Sequence, residues 1–169
     1  MKSHAGTMAI ALLLLTLTGC SPMTGDATVH EEVTIDEAKT IAQDMEKTLA
    51  GLVPTEQVAS IDQNPTGALM SCTKEGEYLW SGQTKVRLNP GVTYDGEAVT
   101  EKIASEYNGG DSYTTETDLT PDGQPSAHVV GGNGEGYLVA LSVDKTFVQI
   151  LSFSPCFVLP EDVSPSRPY

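Results

Sequence analysis

The amino-acid sequence predicts an α+β fold: a single curved antiparallel sheet with two helices packed on one face, in the order αββαβββ with room for one more short strand. Three observations predict it. Two stretches carry apolar residues at helical spacing behind capping residues. Several short runs alternate apolar and polar residues, or are apolar nearly throughout. The connections between those runs are short and rich in Gly, Pro and Asp, so neighbouring strands must be antiparallel. A barrel closed around a helix is the rival arrangement.

Thr34 opens the first helix. Thr34-x-x-Glu37 is a capping box, with Val33 and Ala38 placed as a hydrophobic staple. Ile35, Ala38, Ile41, Ala42, Met45 and Leu49 mark one apolar face, Gly51 stands at the C′ position and Pro54 lies just beyond. Residues 52–67 read as a loop that tucks Val58 and Ile61 inward. A short strand over 68–72 and a turn at 74–77 lead into a longer strand from Tyr78 to Leu88. In that strand Thr84, Val86 and Leu88 share one face, and Gln83, Lys85 and Arg87 the other. The second helix, over about 96–107, has Asp95 as N-cap and Val99, Ile103 and Tyr107 on one stripe. Strands follow over 112–119, 126–131, 136–143 and 146–153. Tyr137, Val139, Leu141 and Val143 alternate, whereas Phe147 to Phe153 is apolar nearly throughout. Gly131 to Gly136 lacks the Lys of a phosphate loop and opens no helix, so it reads as a hairpin turn.

The N-terminal stretch directs the protein elsewhere than the cytosol. Lys2 precedes an apolar run from Met8 to Leu17, about half the roughly 20 residues that a spanning helix needs. That length suits the apolar region of a secretory signal peptide. Leu17-Thr18-Gly19-Cys20 then resembles the lipobox of bacterial lipoproteins. The resemblance implies a diacylglyceryl group on Cys20, cleavage before it, and attachment at the extracytoplasmic face of the cell membrane. The domain organisation that follows is a signal peptide over 1–19, a flexible acidic tether over 20–33, a globular domain over 34–160 and a disordered tail over 161–169. Two acyl chains suffice for stable anchoring, and the tether gives the domain a reach of roughly 20 Å.

Charge limits the partners. The chain has 23 Asp+Glu against 9 Lys+Arg, a formal net charge of −14. Loss of residues 1–19 removes Lys2 and no acid, leaving 8 Lys+Arg against 23 Asp+Glu and a net charge of −15. Such a balance argues against nucleic acid and against adsorption through a basic patch.

With Cys20 assigned to lipid, Cys72 and Cys156 remain. Export permits a disulfide between them. Two buried free thiols or a redox pair are the alternatives, although no Cys-x-x-Cys spacing supports the last. The contexts Leu69-Met70-Ser71-Cys72, Tyr78-Leu79-Trp80-Ser81-Gly82 and Ser154-Pro155-Cys156-Phe157 resemble the small LppA-like lipoproteins of mycobacteria and related actinobacteria, in element order over roughly residues 33–160. The resemblance implies envelope attachment and a Cys72–Cys156 disulfide, and it brings no catalytic residues.

Candidate sites are few. His30 and His128 lack partners at metal-ligand spacing, so neither a metal nor a cofactor is expected. No G-x-S-x-G or S-x-x-K occurs, and no catalytic residue is assigned. Asp111, Glu116, Asp118 and Asp122 do not match a calcium loop and read as a solvated acidic face. Trp80, the single Trp, is expected in the core, although Tyr78, Trp80 and Tyr107 could together line a cleft between sheet and helix. The expectation is a non-enzymatic envelope lipoprotein. It would contact membrane lipid through acylated Cys20 and bind an envelope protein, glycan or lipid. A lipid- or small-molecule carrier, or an envelope hydrolase with a nonstandard site, are the alternatives.

Overall fold

The computed structural model describes residues 33–169; the stretch expected to be a signal peptide, Cys20 and nearly all of the expected tether lie outside them. It shows an α+β domain in which one open, antiparallel eight-stranded sheet carries two helices. The elements run α1 (Ile35–Ala50), β1 (Val58–Gln63), β2 (Ala68–Ser71), β3 (Glu77–Leu88), α2 (Gly96–Tyr107), β4 (Tyr113–Leu119), β5 (Pro125–Gly131), β6 (Gly136–Leu141), β7 (Phe147–Phe153) and β8 (Phe157–Val158). The sheet order is β1-β3-β7-β6-β5-β4, with β2 and β8 both pairing with β3. The sheet is not closed into a barrel.

The helices form where their caps predict. The Thr34 hydroxyl accepts the Glu37 N–H, and the Glu37 carboxylate accepts the Thr34 N–H at 2.9 Å. Asp95 Oδ1 accepts the Ala98 N–H at 3.0 Å. Gly51 ends α1 in the right-handed region (φ −67°), so its conformational freedom is not what stops the helix. Instead Leu52 and Val53 donate to Leu49 and Ala50, tightening the chain into the turn before Pro54. The helix α1 lies over β3 and β7, and α2 over β4 and β5.

The core has two parts. The larger unites Met45 and Leu49 of α1, Val99 and Ile103 of α2, and Val86, Val129, Tyr137, Val139, Val148 and Ile150 of the sheet. The smaller sits under the first half of α1, where Ala38 and Ala42 let the helix approach Trp80, Leu69 and Phe157.

Several positions depart from the sequence reading. The stretch read as a loop contains β1, which pairs with β3 from Val58↔Leu88 to Gln63↔Thr84. A register shift between Val58 and Ser60 breaks its alternation. The shift leaves Val58 and Ile61 on one face, opposite Leu88 and Val86; Val58 packs on the core, but Ile61, on the edge strand, stays 50% exposed. On α1, Ile41 is displaced from the buried face, and Glu46 occupies it with Ala38, Ala42 and Ala50. Val143 is 82% exposed because β6 ends at Leu141 and the chain turns through Ser142 to Thr146. Residues 161–169 are not a frayed tail. Tyr169 exchanges both main-chain hydrogen bonds with Gly67, at 2.7 and 3.1 Å, so the segment returns to the smaller core.

Candidate functional site

The three aromatic residues proposed for a cleft do not converge. Trp80 is fully buried in the smaller core, with Tyr78 packed at its margin. Tyr107 belongs to the larger core, where its hydroxyl reaches Met45 Sδ and its ring meets Tyr113 edge-on at 5.5 Å. Two glycines explain the tryptophan's place. A Cβ at Gly82 would lie 2.1 Å from indole Cη2, and one at Gly67 would lie 2.5 Å from Cε2. The ring therefore occupies space that only glycine leaves free, and its N–H donates to the Tyr169 carbonyl at 3.2 Å. Trp80 is a packing residue.

The disulfide forms as expected. Cys72, just after β2, and Cys156, just before β8, are bonded with Cα atoms 6.4 Å apart. It closes the end of the sheet where β2 and β8 flank β3.

The buried polar group that sequence reasoning missed is Glu46. It is completely buried, and no lysine, arginine or histidine pairs with it among the described residues. Three donors surround its carboxylate. Thr84 Oγ1 donates at 2.7 Å, Gln63 Nε2 at 2.9 Å, and Ser152 Oγ bonds the other oxygen. Glu46 thus ties α1 to β1, β3 and β7 at once. A signal was present in the sequence, since Glu46 falls on the i, i+4 line Ala38–Ala42–Glu46–Ala50. Ser152 and Glu46 have no histidine between them, and His128 is exposed on the opposite side of the sheet. Burial pushes the phenols of Tyr94, Tyr107, Tyr113 and Tyr137 above their ordinary value, so they remain protonated at neutral pH. Among the described residues no group of three or more His, Cys, Asp or Glu is placed to hold a metal ion.

Open grooves indent the surface of the described residues, among them two of about 470 Å³ each. One runs between the start of α1 and the returning tail, lined by Val33, Ile35, Val158, Pro160, Arg167 and Tyr169. The other, between α2 and the end of β4, is edged by Glu97, Glu101 and Asp118.

A further feature is the face of the sheet turned away from both helices. The register identifies its residues. Ser81, Gln83, Lys85 and Arg87 of β3 stand opposite Phe153, Leu151, Gln149 and Phe147 of β7. Leu138 and Ala140 of β6 continue the rows from Leu151 and Gln149. His128 and Ser126 of β5 come next, and Glu116 and Asp118 of β4 complete them. Its centre, on β7 and β6, is apolar or amide and holds no carboxylate, although the chain carries 23 acids. Leu138 is 38% exposed there, and the Gln149 amide donates to Gln83 at 2.9 Å.

Comparisons of the chain with protein-family models, with curated proteins and with solved structures return no match.

Proposed function

We propose that the protein is a lipid-anchored, non-enzymatic binding protein of the cell envelope, which presents the uncovered face of its sheet to a partner. The observation that carries the binding role is that face: apolar at a centre that holds no carboxylate in an acidic domain, and left bare by both helices. Anchoring rests on the Leu17–Cys20 motif behind its apolar run, and the LppA-like resemblance supports the same placement. The Cys72–Cys156 bond fits an oxidising compartment outside the cytosol. Among the described residues no helix is long and apolar enough to cross a membrane; two acyl chains on Cys20 would supply stable attachment. Carriage of a lipid or small molecule is the second reading, favoured by the groove beside α1, where apolar walls meet Arg167.

Cell fractionation tests the anchor. The wild-type chain is expected in the membrane fraction, and Cys20→Ala is expected to lose both processing and lipid labelling. Normal processing and membrane retention of the variant would overturn it. Capture from crosslinked envelope tests the binding role: Leu151→Asp should lose partners that a substitution on the helical side, such as Glu101→Lys, retains. Equal capture by both variants would show that the face is not the recognition surface.

A further inference from the structure

We infer that the partner of the uncovered sheet face is a second copy of this chain, stacked face to face about a two-fold axis running along β6. This rests on the reading of that face as an interaction surface and specifies its occupant.

The inference comes from how the face is laid out. Five strands, β3, β7, β6, β5 and β4, stand in order with β6 in the middle. A two-fold axis parallel to β6 and lying between two such faces exchanges β3 with β4 and β7 with β5, and leaves each row on itself. The row through Lys85 reads Lys85–Gln149–Ala140–Ser126–Asp118 across these five strands, with Asp62 of β1 standing beyond Lys85. Under the operation Lys85 meets Asp118 of the other copy, Gln149 meets Ser126, and Ala140 meets itself. The next row reads Gln83–Leu151–Leu138–His128–Glu116. There Gln83 meets Glu116, Leu151 meets His128, and Leu138 meets itself. Phe153, in the third row, meets Val130.

Charge decides the orientation. The face has a cationic flank on β3 and an anionic flank on β4. Arg87 is already paired with Asp62 across β1, at 2.5 Å, so Lys85 is the flank's remaining cation. It lies over the Phe147 ring at 5.0 Å, extended across the face. Stacking with the two chains turned end for end instead would set β3 over β3 and Lys85 beside Lys85. The two-fold along β6 sets opposite charges together at both rims and apolar groups in the middle. Strands then run aligned, as in sheet packings that depart from parallel by about 30°.

Size predicts the strength. Five strands at ~4.8 Å and seven residues at ~3.4 Å give a patch of roughly 500 Å², so the pair buries about 1,000 Å². That is the lower bound for a specific interface, and it describes a weak dimer that forms where the chain is concentrated. Attachment of both copies to one membrane supplies such a concentration.

Single-cysteine crosslinking of the full chain in its own membranes, with a short thiol-reactive bifunctional reagent, tests the arrangement. Leu138→Cys lies on the axis and should yield a species of twice the chain mass. Lys85→Cys and Asp118→Cys should each give at least fivefold less alone, and should recover the dimer when co-expressed. Val143→Cys, highly exposed but off the face, reports random collision. In a second arm, Lys85→Asp should reduce the Leu138→Cys dimer about tenfold, and adding Asp118→Lys should restore it. Equal crosslinking of Val143→Cys and Leu138→Cys would overturn the inference, as would failure of the charge exchange to restore the dimer. A Leu138→Cys adduct of some other mass would also overturn it, while leaving the envelope-binding reading intact. Absence of the chain from the membrane fraction is the separate failure of that reading.

Discussion

Replacing Glu46 by leucine tests what fastens α1 to the sheet. The carboxylate receives hydroxyl donors from Thr84 and Ser152 and the Gln63 amide, and all but the last are fully buried. Gln63 keeps a 2.8 Å bond to the Gln43 carbonyl, so it is not orphaned by the change. The two hydroxyls are. Each buried donor left without a partner costs about 1–3 kcal/mol, hence about 2–6 kcal/mol together. The leucine's apolar surface offsets about 2 kcal/mol of that. At the middle of that range, about 4 kcal/mol, a net loss of about 2 kcal/mol follows. Unfolding entropy near 2.1 cal/mol/K per residue over about 140 residues converts this to a fall in Tm of roughly 7 °C.

The cause is separable from the loss of a side chain. Glu46→Leu combined with Thr84→Val and Ser152→Ala removes the donors along with the acceptor, and replacing both partners by apolar groups is close to neutral. The triple variant should therefore be more stable than Glu46→Leu alone, recovering over half of the loss. The readout is urea unfolding followed by the fluorescence of Trp80, the only Trp. A Glu46→Leu protein within about 0.5 kcal/mol of wild type, or a triple variant less stable than the single one, refutes the reasoning.

Three further outcomes are expected. Cys72→Ser with Cys156→Ser opens a loop with a sequence separation of 84; by the chain-entropy argument it should cost about 4–5 kcal/mol in denaturant unfolding, and a loss under about 1 kcal/mol would contradict it. Gly82→Ala places a methyl 2.1 Å from the indole, so it should cost about 1–3 kcal/mol and shift Trp80 emission to the red; unchanged emission and stability would contradict the packing. Burial raises the phenols of Tyr137 and Tyr94 above their unfolded value of about 10, so the stability they supply is present below pH ~10 and lost as pH rises beyond it. Tyr137→Phe removes a buried hydroxyl that has no partner; it should be neutral or stabilising at pH 7 and soften the alkaline loss, whereas a cost above about 1 kcal/mol at pH 7 would show a partner for that hydroxyl.

Local chemistry was legible, and tertiary placement was not. The capping box at Thr34, the Asp95 cap and the turns between β4 and β7 each act within a few residues, so the sequence shows them directly. The alternation of β3 likewise divides Gln83, Lys85 and Arg87 from Thr84 and Val86. Which side the helices would cover depends on chain crossings that no short window contains. The strand β1 went unread because its pairing comes from β3 and its polar residues suit an exposed edge. Trp80 and Tyr107 looked like neighbours because both are aromatic and near helices. The sheet order puts β3 and α2 at different ends of the core, and only the paired registers reveal it. Tyr169 carried no signal at all, since its partner, Gly67, is recognisable only as the floor beneath an indole.

The edges of the sheet bear on why a partner would take the face. An open sheet invites strand addition wherever main-chain groups point outward. On β4 that route is obstructed: the Asn108 side chain accepts the Thr115 N–H at 2.6 Å and donates to the Thr115 carbonyl at 3.2 Å. The Leu119 N–H is taken by the Asp118 carboxylate at 2.7 Å. The outward Thr115 and Leu119 N–H groups are thus satisfied within the chain, and an added strand would have to displace a side chain at each. On the other flank, β1 is broken by its register shift, and β2 spans only four residues. Neither edge offers the long flat ladder that strand addition uses. The face is different, because covering it displaces water from Leu138, Leu151 and Phe153 without breaking a hydrogen bond of the sheet. Association through the face is therefore the less costly route, and Asn108→Ala should leave the Leu138→Cys dimer unchanged. Loss of the dimer in that variant would show that β4 pairs edge to edge instead.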